Sequence, residues 1–255
     1  MELSLNKLFE QKKINPENTI LSLNKSIFVW IDILGFSDAL EKESEYKTLS
    51  DLLDSFRRSF YDIEVCESNR ISDGIILILK QRNYSCDEIE TLFQKIGEKQ
   101  KEFILECSHF IRGGIAVGSS YEEQRDCRKD HSYLISSGLA KSVKIENSKI
   151  DWPIIGIDKQ NLEEIRDLCR IENEKEFFGL SKCFNRKGGL IYFIDFMNHV
   201  QNNQDKEKII NILYGKVKEF HDNPKIHLKY VWLLRYYRER FECKNLPETL
   251  KGVII

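Results

Sequence analysis

Flexible linkers are what this chain most plainly lacks: only 4 prolines and 13 glycines are spread through 255 residues, and no stretch is rich in Gly, Ser or Pro. With no repeat and no low-complexity tract either, the simplest organisation is one folded unit with additions. These are an N-terminal extension over 1–24, a main domain over 25–200 and a helical elaboration over 201–255. No apolar run approaches the roughly twenty residues needed to cross a bilayer, so no membrane partner is expected. Met1 to Asn24 lacks the basic start, apolar centre and small-residue cleavage site of a secretory leader. The seven cysteines are single, odd in number and without a C-x-x-C pair. That excludes a disulfide framework and a paired-cysteine zinc site, and a reducing, cytoplasmic setting is expected. Five histidines are dispersed without metal-ligand spacing. Charge of one sign is also missing: the formal net charge is -2, which excludes bulk attraction to nucleic acid, so any anionic ligand must be held locally.

What is present is ordinary globular composition, 41% hydrophobic and 31% charged, together with two acidic motifs. Phe28-Val29-Trp30-Ile31-Asp32-Ile33-Leu34-Gly35-Phe36 and Ile71-Ser72-Asp73-Gly74-Ile75 each set one aspartate at the edge of an apolar, β-branched run. A carboxylate beside a buried strand loses solvation and is kept there by a cation or a hydrogen-bond network. Two such carboxylates point to a divalent metal site.

The pattern along the chain predicts a strand over 27–34 and helices between Ser37 and Tyr61, with Ser44 as a cap. A hairpin over 63–79 then carries Asp73 at its tip, followed by a helix from Cys86 to Cys107 and a strand from Phe110 to Gly118. This β-α-α-β-β-α-β order is the ferredoxin-like split βαβ arrangement, an α+β class with an antiparallel sheet and helices on one face. It would bring the two aspartates together. Residues 119–132 are polar and read as a solvated loop or lid. Then follow a helix from Ser136 to about Asn147, a strand 153–158, a helix 161–171, a strand 188–195, and helices 205–221 and 225–241. The last of these, basic and aromatic between His227 and Arg240, invites a nucleic-acid reading, but its spacing suits a packing helix, with Leu228, Val231, Trp232 and Leu234 on an apolar face.

In order and spacing, Asp32-Ile33-Leu34-Gly35-Phe36-Ser37, Ser72-Asp73-Gly74, Arg112-Gly113-Gly114-Ile115-Ala116-Val117-Gly118 and Leu139 to Glu146 resemble the motifs of class III nucleotidyl cyclases. A closer likeness is to a prokaryotic cyclase-like group carrying D-I-L-G-F, S-D, R-G-G-I and a late K-Y-x-W-L helix, here Lys229-Tyr230-Val231-Trp232-Leu233. The resemblance implies a palm-like cyclase domain converting a nucleoside triphosphate to a 3',5'-cyclic nucleotide and pyrophosphate. It implies two Mg2+ or Mn2+ ions held by Asp32 and Asp73, assisted by the Ile33 carbonyl. It further implies a phosphate turn at Leu34, Gly35, Phe36 and Ser37, and a homodimer whose active sites lie between subunits. A bacterial signalling or antiphage-defence role fits the same likeness.

Several positions depart from the family pattern. Counting back from Glu146, the ribose-orienting Asn is replaced by Ala140 and the transition-state Arg by Lys144, which keeps the charge but loses the bidentate fork. The base-selecting positions fall at Asn69, with Arg70 beside it, and at Tyr133, which is not an adenine-reading set. Arg112 either lines the phosphate site or pairs with a helix acid; Gly113 and Gly114 suit close packing. Two rivals stand beside the enzyme: a catalytically inactive relative that binds a nucleotide or a protein, and a palm-type oligonucleotide synthase.

Overall fold

The computed structural model describes residues 25–40, 46–61, 63, 67–71, 73–79, 84–124, 132–169 and 180–241, with backbone alone at 37–38, 67–71, 121–124 and 132–135. Strand β1 (Lys25–Ile33) is an interior strand of the sheet, as its apolar run from Ile27 to Ile31 requires. It is flanked on both sides by antiparallel partners, β3 (Gly74–Leu79) and β4 (Ile111–Gln124). The order is β2 (Glu67–Ile71), β3, β1, β4, β6 (Ile155–Asp158), β8 (Leu190–Ile194), β7 (Leu180–Phe184), with β5 (Ser132–Ser136) paired to the far part of β4. The first four strands give the ferredoxin-like arrangement; β6 then joins β4 in parallel at Gly113 and Gly114, so the whole sheet is mixed.

Because side chains alternate along a strand, β1 serves two cores. Ile27, Val29, Ile31 and Ile33 face helices α2 (Tyr46–Tyr61) and α3 (Cys86–Cys107), whose Leu49, Leu52, Phe56, Phe60, Ile89, Phe93 and Phe103 complete the main cluster. Helix α3 starts at a capping box, in which Ser85 accepts from the Glu88 amide and the Glu88 side chain accepts from the Ser85 amide. Phe28 and Trp30 point the other way, toward Ile76, Ile78 and Leu139 of helix α4 (Ser137–Lys149). Helices therefore cover both faces, where the sequence pattern implies one. The reason is local: Gly114 and Gly118, on the same side of β4, leave room for the α4 backbone. A Cβ at Gly114 would stand 2.1 Å from the Ser142 carbonyl oxygen, and one at Gly118 2.3 Å from the Gly138 nitrogen.

Two further differences stand out. The expected loop 119–132 is strand at both ends, since β4 continues to Gln124 and pairs with β5, a polar ribbon whose composition hides its pairing; residues 125–131 lie outside the described residues. Strand β7, with its mixed burial, carries no apolar run and is absent from the sequence reading. Helix α5 (Lys159–Leu168) joins the main cluster through Leu162 and Ile165. Helices α6 (Asn203–Glu219) and α7 (Pro224–Phe241) form a second cluster with Leu34, Ile104 and Phe110. Of the expected apolar face of α7, Val231 and Leu234 are buried and Trp232 half-buried, but Leu228 is 50% exposed, and Ile226, Lys229, Tyr230, Leu233 and Tyr237 are buried as well. Tyr230 and Tyr237 lie inside, and Trp232 stacks on Trp152 and Tyr236.

Candidate active site

Asp32 occupies the penultimate position of β1, opposite Gly74 on one side and Arg112 on the other. Directly opposed residues share a face, so the Asp32 and Arg112 side chains lie together on the α4 side of the sheet. The tight connection between β2 and β3 carries Asp73, the residue before Gly74, to within hydrogen-bonding reach of Asp32. Burial, followed by the negative charges of Asp73 and Glu146, pushes the Asp32 carboxyl up to about 7; Arg112 opposes the shift.

Glu146 arrives from α4, brought down by the close seat of that helix on Gly114. It is 2% exposed and makes an ion pair with Arg112. Burial raises its carboxyl above the usual range, against the pull of Arg112 and then of Lys229. Of the two roles open to Arg112 in the sequence, pairing with a helix acid is thus realised. Lys229, from α7, is the functional candidate that sequence reasoning missed. It is 8% exposed, and burial, helped by Arg112 and Lys225, pushes its ammonium down to about 8. Its signal was legible: Ile226 and Leu233 lie three residues before and four after it, so the lysine sits on the apolar stripe of its helix.

Gly35 has φ 81, a left-handed conformation natural to glycine, and its carbonyl accepts from the Ala39 amide to open helix α1 (Phe36–Leu40). Leu34 drops out as an amide donor, because its N–H donates to the Phe110 carbonyl at 2.9 Å. That leaves the N–H groups of Gly35, Phe36 and Ser37, with Ile33 closing the strand just before them. Helix α1 has five residues, too short to add an appreciable dipole.

The remaining candidates do not all converge in one chain. Asn69 and Arg70 lie on β2, opposite Ile76 and Ile75, and therefore on the same end of the sheet as Asp32, two strands away; their side chains lie outside the described residues. Tyr133 pairs with Glu123, eleven residues along β4 from Arg112. At about 3.4 Å per residue it lies on the order of 35 Å from Asp32. Lys144 and Ala140 are exposed on α4, and Lys144 is not among the charges that act on Asp32.

Hard, adjacent carboxylate oxygens suit Mg2+ or Mn2+, and the mutual repulsion that raises Asp32 is what a divalent cation would relieve. Among the described residues no group of three or more His, Cys, Asp or Glu forms a metal cluster, and Glu146 is engaged by Arg112. Remaining donors would be main-chain carbonyls such as that of Ile33, water and substrate oxygens. Among the described residues no helix is long and apolar enough to cross a membrane.

No family model matches the chain, and no curated protein matches it in sequence. Solved structures similar to it are adenylyl and guanylyl cyclase domains. The adenylyl cyclase CyaB from P. aeruginosa is 14% identical, with a TM-score of 0.47 over 71% of this chain and 96% of that one. The dimeric guanylyl cyclase domain of the RhoGC fusion protein from the fungus Blastocladiella emersonii is 16% identical, with a TM-score of 0.47 over 68% and 94%. The guanylate cyclase domain of RhGC from Catenaria anguillulae, in complex with GTP, is 15% identical, with a TM-score of 0.45 over 67% and 95%.

Proposed function

We propose that this chain is a metal-dependent nucleotidyl cyclase that converts a nucleoside triphosphate to a 3',5'-cyclic nucleotide and pyrophosphate. The observation that carries the reading is the meeting of Asp32 and Asp73 at one end of adjacent interior strands, each from a separate sequence motif, with Arg112 and Glu146 beside them. Asp32 and Asp73 would hold two Mg2+ or Mn2+ ions, which, when bound, lower the pKa of the ribose 3'-hydroxyl and neutralise the pyrophosphate that leaves. The amides of Gly35, Phe36 and Ser37 receive phosphate oxygens. Arg112, fixed by Glu146, presents a guanidinium toward the same side of the sheet as Asp32.

Lys144 acts in the site of a second copy of the chain, because it is exposed on α4 while Glu146, two residues on, is buried against Arg112 of its own chain. The same holds for Tyr133, which supplies a stacking surface to the partner's base while Asn69 and Arg70 select its edge, favouring a base other than adenine. A homodimer follows. Lysine in place of the family arginine gives a weaker clamp on the transition-state phosphate and a modest rate.

The test is product analysis. Purified protein is incubated with each nucleoside triphosphate and Mn2+, and pyrophosphate and nucleotide products are measured. Cyclic product with equimolar pyrophosphate from at least one substrate is expected. Pyrophosphate from none would assign the chain to inactive relatives, and linear oligonucleotides would assign it to palm-type synthases.

A further inference from the structure

Lys229 is a buried cation that the reading above leaves without a task. Among the described residues its ammonium has no side-chain hydrogen bond and no ion pair, although it is 8% exposed. Its electrostatic neighbours are Arg112, Lys225, Glu146 and Arg186. Glu146 is the one anion of that set, and Arg112 already pairs with it. Buried Lys229 and half-buried Arg112 therefore face a single, occupied carboxylate, with Lys225 and Arg186 adding further positive charge. Four cations around one occupied carboxylate leave an excess of positive charge that an anionic ligand would balance.

The helix is also fixed so that Lys229 cannot simply turn outward. One turn on, Trp232 stacks on Trp152 with centroids 5.1 Å apart and planes 3° off parallel. Tyr230 meets Phe110 edge to face, and Tyr236 donates to Asp195 at 2.5 Å. The same helix therefore packs by Tyr230 against Phe110, whose carbonyl holds the turn after Asp32.

We propose that Lys229 binds a terminal phosphoryl oxygen of the polyphosphate chain beside Arg112, so that helix α7 is a working part of the active site and not an appended support. This rests on the triphosphate reading of the Asp32 and Asp73 site. A polyanion anchored through cations at the two aspartates and extending past Arg112, whose charge acts on both Asp32 and Lys229, brings its distal charge to the corner where the Lys229 ammonium stands. The base of the nucleotide has no part in this contact, and inorganic tripolyphosphate is a sufficient probe.

The experiment titrates the full chain with tripolyphosphate in the presence of Mn2+ by calorimetry and records the melting temperature with and without it. Wild type, Lys229→Met, Lys229→Arg and Asp73→Ala are compared. Lys229→Met is expected to weaken binding about tenfold or more, the loss of one charge-assisted contact, while its unliganded melting temperature stays level or rises because a buried charge has gone. Lys229→Arg should recover most of the affinity. An unchanged dissociation constant in Lys229→Met overturns the proposal. So does a lowered unliganded melting temperature in that variant, which marks a lysine needed to balance Glu146. Binding lost in Asp73→Ala but unchanged in Lys229→Met removes this inference and leaves the site reading intact; no binding by wild type removes the site reading itself.

Discussion

Asp32 holds its proton more tightly in the folded chain than an ordinary aspartate does, because burial and the charges of Asp73 and Glu146 act together on one carboxyl. Its value of about 7 lies above the ordinary 3.8, so the stability this gives the metal-free protein is complete below about pH 4 and is lost as pH rises through 7. In chelator, the melting temperature of wild type should fall relative to Asp32→Asn between about pH 4 and about pH 7, with Mn2+ closing the gap. Parallel curves would show that the carboxyl titrates normally. Asp73→Ala, at the hairpin tip, should abolish turnover while shifting the melting temperature by less than about 3 °C, since a partly exposed turn residue adds little to the core. Circular dichroism and product analysis on the same preparation check both halves.

Helix α4 is the element on which the site depends most, since it delivers Glu146 to Arg112 only by lying directly on the β4 backbone. Its seat leaves no space for a side chain at Gly114, where a Cβ would meet the Ser142 carbonyl oxygen at 2.1 Å and the Glu146 nitrogen at 2.9 Å. Gly114→Ala should destabilise the fold by about 3 kcal/mol by forcing the helix outward, and chemical denaturation measures it. By contrast Gly35→Ala meets nothing within 4 Å but must adopt φ 81, a cost of about 1 kcal/mol from backbone strain alone. Both act on the same few ångströms of the site by different physics, steric displacement in one and torsional strain in the other.

At the scale of the whole molecule, the separation of Tyr133 from Asp32 within one chain, with Lys144 exposed on α4, argues for sites shared between copies. Mixing Asp73→Ala with Lys144→Ala should restore activity, because a mixed dimer carries one site free of both substitutions. Random re-pairing of equal amounts gives about a quarter of wild-type turnover. Continued silence of the mixture would place both residues in one chain's site, and sedimentation of each variant confirms that dimers have formed.

The ferredoxin-like core was legible because its signals are local and periodic. Examples are the apolar run of β1, the turn tripeptide before β3 and the 22-residue amphipathic helix α3, whose bounds coincide with the expected ones. Asp32 and Asp73 were legible for the opposite reason: a charge interrupting an apolar strand breaks the pattern. Polar pairing in the β4–β5 ribbon and the half-buried edge strand β7 escaped, since their hydrogen bonds leave no hydrophobic period to read. Leu34 as a phosphate donor also failed, because the competing acceptor, the carbonyl of Phe110, comes from a residue far along the chain. The amino-acid order by itself determined which segments form strands and helices and where the two acids sit upon them, because backbone propensity and burial period are written within a few residues. Only the tertiary structure decided that Arg112 pairs with Glu146, that α7 turns Lys229 inward and that Tyr133 stands at the far end of the sheet. Those relations depend on register and on helix rotation, which are fixed by packing between segments with no sequence neighbours in common.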